Sequence, residues 1–128
     1  MDTTAKDLAE RFFAAVTAGD TAAVKALCAP DVSTWQNTSG PSTLDGLVAF
    51  IHAVRRVAPD MHYEKAVRVA TETGFVEEHD FCATLTDGTA IRIPACVVGT
   101  VSAGLITGMR EYVDGSGAGP LIKALSAR

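Results

Sequence analysis

The run Phe75-Val76-Glu77-Glu78-His79-Asp80-Phe81-Cys82-Ala83-Thr84-Leu85 decides how this chain folds. Its aromatic and alternating apolar residues, followed by Asp87-Gly88, mark a strand that enters a hairpin turn. Strand alternation divides it into two faces. Phe75, Glu77, His79, Phe81, Ala83 and Leu85 share one, and Val76, Glu78, Asp80, Cys82 and Thr84 share the other. Acidic residues are depleted in strand interiors, so the cluster around His79 needs a reason. Hydrophobicity alone turns the phenylalanine face inward and leaves Glu78 and Asp80 in solvent. The rival arrangement puts Glu78 and Asp80 in a pocket and covers the phenylalanine face with a helix or a second subunit. Periodicity leaves both open.

Working outward, the neighbouring segments read as strands too. Residues 61–70 precede this strand across a turn at 72–74, and residues 89–101 follow it, with Pro94 implying a bulge or an edge position. Ser102-Ala103-Gly104 turns into a last strand over 105–114. Upstream the period changes to that of helices. Leu8, Phe12, Phe13 and Val16 make one apolar stripe over 4–18, which Gly19 ends. Asp20 caps a shorter helix over 21–28, and Pro30 stops it. A short strand over 31–37 and a Ser/Gly/Pro loop over 38–43 lead to a third helix at 44–58, with Leu47, Ile51, Val54 and Ala58 on one face. The glycines of 115–119 form a flexible connector, and 120–127 a last helical turn or two. Helices first and a strand meander afterwards define an α+β fold, as one domain over 1–128.

Composition narrows the function classes. The 128 residues are 48% hydrophobic and 20% charged, with a formal net charge of −4. That acidic balance argues against nucleic acid or an anionic membrane as partner. No apolar run reaches membrane-spanning length, and the opening Met1-Asp2-Thr3-Thr4-Ala5-Lys6-Asp7 lacks the basic start of a leader, so a cytoplasmic protein is expected. Cys28, Cys82 and Cys96 have no CxxC spacing and read as small buried thiols in a reducing compartment, not as a zinc site. His52, His62 and His79 show no HxxxH spacing, and His79, ringed by acids, has the best claim to function. The 115–119 glycines lack the GxGxxG spacing and the Walker lysine, so they read as a connector or pocket flap.

Two further features bear on chemistry. In 105–114 the odd positions read Leu105, Thr107, Met109, Glu111 and Val113, placing one carboxylate in a mostly apolar row. A carboxylate on a buried face has to be paired, protonated or working. Trp35 and Asn37 lie two apart on a strand and share a face. They are either a core tryptophan with a structural asparagine, or two polar tips aimed at one water or substrate oxygen.

Arg11-Phe12-Phe13-Ala14-Ala15 through Ala18-Gly19-Asp20, then Ala29-Pro30-Asp31-Val32, and Gly104-Leu105-Ile106-Thr107 resemble the nuclear-transport-factor-2-like superfamily, in its SnoaL-like and ketosteroid-isomerase-like branch. The resemblance spans essentially the whole chain. It implies a cone-shaped, curved antiparallel sheet packed with N-terminal helices around a pocket, the cystatin-like α+β barrel. Within that superfamily the site pattern is similar to limonene-epoxide hydrolase. Trp35-Gln36-Asn37 stands where a Tyr-x-Asn pair holds water there, Asp80 matches a strand aspartate, and Ile106-Thr107-Gly108-Met109-Arg110-Glu111-Tyr112 matches the segment that carries the base. Glu78 stands where that family has an arginine. The groups of a ketosteroid isomerase are missing, since Phe12, Gln36 and Cys96 occupy the corresponding positions.

The resemblance therefore implies Glu111 as general base, Asn37 and Trp35 orienting water or substrate, and Asp80 as proton donor raised by Glu78. Phe13, Val16, Val57, Met61, Cys82, Ile93, Ala95 and Val113 would line the pocket. The expected substrate is a small apolar molecule of terpenoid or polyketide type, handled without metal or organic cofactor. Three activities fit: epoxide hydrolysis, SnoaL-like cyclisation or isomerisation, and non-catalytic small-molecule binding. A homodimer is expected, with the row Phe75, His79, Phe81 as the sheet face it buries.

Overall fold

The computed structural model describes residues 4–127; residues 1–3 and 128, and with them the opening of the segment read for a leader, lie outside the described residues. In the first half, two helices are followed by two strands and a third helix. Helix α1 (Ala5–Ala18) begins where the Thr4 hydroxyl accepts the Asp7 amide at 3.0 Å. It ends at Gly19, whose φ of 69° is the left-handed conformation that glycine adopts without strain. Leu8, Phe12, Phe13 and Val16 are buried as its spacing predicts, and Ala9 and Ala15 are buried beside them. Helix α2 (Thr21–Leu27) is capped by Asp20. Strand β1 (Cys28–Gln36) and the short β2 (Gly40–Ser42) follow, then α3 (Leu44–Val57), capped by Thr43 and burying Ile51 and Val54. The strand starts earlier than expected because Pro30 falls between the Cys28 and Ser33 pairings, where the ladder is irregular and misses no donor.

The second half is a meander of β3 (His62–Ala70), β4 (Gly74–Thr84), β5 (Ala90–Ser102) and β6 (Leu105–Val113). With β1 and β2 it forms one open six-stranded sheet in the order β2-β1-β6-β5-β4-β3. The sheet is curved and unclosed, with helices packed on it. Every adjacent pair is antiparallel except β1 and β6. That parallel pair arises because β1 reaches the sheet from the helical half, so no hairpin sets its direction.

One face of this sheet is covered by α1. Phe13 is the hub: its ring meets Phe12 at 5.1 Å, Tyr63 at 5.6 Å, Phe75 at 6.3 Å and His79 at 5.1 Å, all close to edge-on. Phe75 is fully buried, and its ring occupies the space over Gly99, where an added Cβ would lie 2.2 Å from ring carbons. Burying such a ring is worth roughly 1.5–3 kcal/mol relative to leaving it in water. The phenylalanine face of β4 is thus the inner one, as hydrophobicity alone expects. The row Phe75, His79, Phe81 faces α1 and the core, so it cannot be the dimer face proposed from the sequence.

Two details differ from expectation. Pro94 sits in the interior of β5, in regular register with Asp80. Its carbonyl accepts the Asp114 amide at 3.0 Å where the β5–β6 ladder ends, so the missing N–H falls just where no further ladder bond is needed. The glycine connector is ordered. Gly115–Gly117 form a 3-10 turn capped by Asp114, and α4 (Gly119–Ser126) starts on Pro120 and buries Leu121. Among the described residues no helix is long and apolar enough to cross a membrane.

Candidate functional site

A register row crosses the inner face from β3 to β1, carrying polar side chains on either side of Val97. The register aligns Arg68 on β3 with Glu77 on β4, Glu77 with Val97 on β5, Val97 with Glu111 on β6, and Glu111 with Gln36 on β1. Each neighbour reaches the next where chemistry allows. Arg68 Nε donates to Glu77 Oε1 at 2.5 Å, and the other oxygen of Glu77 meets His79 Nδ1 at 2.6 Å. Two strands away, the Gln36 amide donates to Glu111 Oε1 at 2.5 Å.

Burial is uneven along this row. The Glu77 and His79 side chains are both 0% exposed, whereas Gln36 and Glu111 are only partly buried. A carboxylate with no water must find compensating charge or donors, and Glu77 has both Arg68 and His79. A proton on Nδ1 is shared with Glu77, which leaves the Nε2 lone pair pointing away from Glu77 within the interior. His79 Nε2 is buried and has no protein hydrogen-bond partner among the described residues. Tyr63 stacks on the imidazole at 4.0 Å and 25°, and Phe13 meets both rings edge-on, at 5.6 Å from Tyr63 and 5.1 Å from His79. Burial, then the charges of Glu111 and Glu77, push the Tyr63 hydroxyl far above its ordinary value, so it stays a donor at any working pH.

The residues expected from sequence divide between the two faces. Glu111 is on the inner face, flanked by Met109 and Val113. Leu105 and Thr107 are not in its row: Thr100 pairs with Gly108 but Val101 with Ile106, so Thr107 is skipped and Ile106 turns inward, fully buried. Asp80 is on the outer face, where Arg92 Nη1 donates to it at 2.8 Å. Glu78 is exposed on that face. Trp35 is also outside, 36% exposed and tilted against Tyr112 at 5.2 Å. Asn37 clips β1 to β6: its Nδ2 donates to the Val113 carbonyl at 3.0 Å and its Oδ1 accepts the Val113 amide at 2.9 Å.

Trp35, Asn37, Glu78 and Asp80 therefore do not converge with Glu111. The cause is parity. Side chains alternate, so carrying a site over one position out of register exchanges the faces, here giving Glu78 and Asp80 for Glu77 and His79, and Trp35 for Gln36. Of the expected lining residues, Phe13, Ile93, Ala95 and Val113 belong to the inner face or pack on it. Val16 and Met61 are core, and Val57 is half-buried on α3. Cys82 faces outward, opposite His62 and Arg92.

Sequence reasoning missed Tyr63, Arg68 and Gln36 as neighbours of the site. Glu77 and His79 were visible as two polar residues sharing a face with phenylalanines, which is the signature of a buried pair. An open recess of about 470 Å³ is lined mostly by outer-face residues, among them Lys65, Glu78, Asp80, Cys96 and Tyr112, with His79 and Ala95 also at its wall. Its acids share no face with Glu111. A smaller recess of about 220 Å³ lies between α3 and α4, lined by Arg56, Val57 and Leu125 among others.

Known structures resemble this one closely in fold. A candidate polyketide cyclase from Pseudomonas putida KT2440 superposes with a TM-score of 0.80 at 20% identity, covering 90% of this chain and 95% of that one. A candidate polyketide cyclase from Silicibacter sp. TM1040 gives 0.79 at 25% identity, with 98% of each chain covered. A protein of ketosteroid-isomerase-like fold from Catenulispora acidiphila, in complex with trimethylamine, gives 0.76 at 18% identity and 90% coverage of both chains. No curated protein matches the sequence. The fold is that of the nuclear-transport-factor-2-like and ketosteroid-isomerase-like proteins. Residues 9–109 match the SnoaL-like domain, and over that span, most of its length, the chain belongs to the SnoaL-like family.

Proposed function

We propose that this protein is a cofactor-free acid/base enzyme that moves a proton on a small, apolar, polyketide-like substrate held at the inner face of the sheet. The observation that carries the reading is the buried, unpartnered Nε2 of His79 at the end of the Arg68–Glu77–His79 chain. A buried polar atom without a partner is costly, so its persistence argues for use. Nε2 takes a proton from a carbon beside a carbonyl, and Glu77 stabilises the imidazolium that results. The Tyr63 hydroxyl donates to the enolate oxygen. Glu111, oriented by Gln36, assists at the more open end of the row, and Phe13, Ile93, Ala95 and Val113 supply the apolar wall. The names of the structural neighbours favour a cyclase or isomerase of this kind.

A second reading rests on the Gln36–Glu111 pair. Gln36 occupies one oxygen of Glu111 and leaves the other to activate water, as epoxide hydrolysis would require. Two assays separate the readings. Apolar β-keto esters in deuterated water should exchange their acidic C–H faster with the protein than without it, and His79→Gln should lower that rate about 100-fold or more. Epoxides in heavy-oxygen water would give labelled diol only under the second reading, with loss in Glu111→Gln. Ligand binding with neither exchange nor diol would overturn both and leave a binding module.

A further inference from the structure

On the outer face, at the sheet edge, three side chains of metal-binding type meet. His62 and Cys82 are direct cross-strand partners on β3 and β4, and Glu64 stands two residues along β3, on the same face as His62. Their ligand atoms, His62 Nε2, one Glu64 oxygen and Cys82 Sγ, lie within 4.8 Å of one another. The support behind them is already in place. His62 Nδ1 is held by the Asp60 carbonyl at 3.0 Å, the arrangement that fixes the tautomer of a metal-ligating histidine and turns Nε2 to the ion. The second oxygen of Glu64 is held by Arg92 at 2.9 Å, leaving the first to face Nε2 at 2.8 Å. In that tautomer two lone pairs point at each other, and a cation has to sit between them. A proton or a metal ion can be that cation.

We propose that His62, Glu64 and Cys82 form a binding site for one zinc-class divalent metal ion on the outer face of the sheet. The ligand set of imidazole, carboxylate and thiolate is borderline-soft, which selects zinc and its neighbours over magnesium and calcium. Tetrahedral coordination at ordinary zinc bond lengths separates ligand atoms by about 3.3–3.6 Å, so the three atoms must close in by roughly an ångström, which the exposed His62 and Glu64 side chains can supply around the buried Cys82. Charge also favours a cation. With Cys82 as thiolate, Glu64 and Asp80 as carboxylates, the Asp60 carboxylate close enough to act on His62, and Arg92 opposing them, the cluster is net negative and attracts a divalent ion. Binding releases the Cys82 proton, now weakly donated to the Asp80 carbonyl at 3.8 Å, so affinity rises with pH. Three protein ligands leave a fourth position for water.

The test is a titration of the full-length, reduced, metal-free protein with cobalt(II), followed by competition of zinc against a chromophoric chelator. One equivalent of cobalt should produce a thiolate-to-metal charge-transfer band, with zinc displacing it at micromolar or lower concentration. Cys82→Ser should abolish the band, His62→Ala should weaken zinc binding at least 100-fold, and Cys96→Ser should change neither. His62 is exposed, so its variant keeps the experiment valid if Cys82→Ser fails to fold. A missing band, a band that survives Cys82→Ser, or weak binding shared by every variant, an adventitious ion only, would overturn the site.

Discussion

The two faces of β4 carry nearly the same chemistry and treat it oppositely. Glu77 and His79 point inward with no exposed side-chain surface, while Glu78 and Asp80, each the next residue along, point outward. Inside, Glu77 is held by two partners at 2.5 and 2.6 Å. Outside, Asp80 meets Arg92 at 2.8 Å, but that guanidinium is 49% exposed and water can replace either partner. Similar ion pairs should therefore differ several-fold in what they contribute, and the difference is set by parity.

The sharpest way to break this contrast is Glu77→Gln, which leaves Arg68 and the fully buried His79 short of a carboxylate. Removing one member of a buried network costs about 3–5 kcal/mol, read as a lower midpoint in urea unfolding. Gly99→Ala should follow at roughly 1–3 kcal/mol, because the new methyl meets the Phe75 ring on the crowded inner face. Asp80→Asn belongs to the outer face and should change stability by no more than about 1 kcal/mol. A cost as large as that of Glu77→Gln would erase the distinction between faces.

The smallest effect sharpens the comparison through pH. On the outer face, hydrogen bonds to the Asp60 carbonyl and to Glu64 raise the His62 titration above its ordinary 6.5, and Arg92 with His62 brings Glu64 down to about 2. A raised histidine value stabilises the fold fully below 6.5 and loses that contribution as pH climbs through the folded value. Glu64 contributes above its ordinary 4.5 and loses its share as pH falls toward 2. Proton NMR of the metal-free protein should give a His62 midpoint above 6.5 that returns toward it in Glu64→Gln.

Much of this fold is legible in sequence. The α1 stripe, the caps at Asp20 and Gly19 and the Asp87-Gly88 hairpin follow from local rules, and α1, α2, α3, β3 and β4 fall within a residue or so of their expected bounds. The membership of each face of β4 is legible as well. Which face turns inward is not, because it depends on Phe13 arriving from α1, a contact between distant residues. The candidate site suffers most from this. Glu111 is found by alternation alone, while the companions assigned by resemblance fall one position away from residues that share its face. Arg68 and Ile106 escape for another reason: a shift of register separates each from the residues whose parity would have predicted it.

The irregularity in β3 has a consequence of its own. Glu64 pairs with Asp80 and Val67 with Glu78, so Lys65 and Ala66 together face His79, with Lys65 at a φ of 57°. Such a bulge works as a phase shifter. It lets Tyr63 and Arg68, an odd number of positions apart, both contribute to the interior, the first to His79 and the second to Glu77. Deleting Lys65 or Ala66 would keep every functional side chain in the sequence and still swing either Tyr63 or Arg68 into solvent. In a lineage that gains and loses single residues, the interior of such a cone can change its chemistry with no substitution in any site residue.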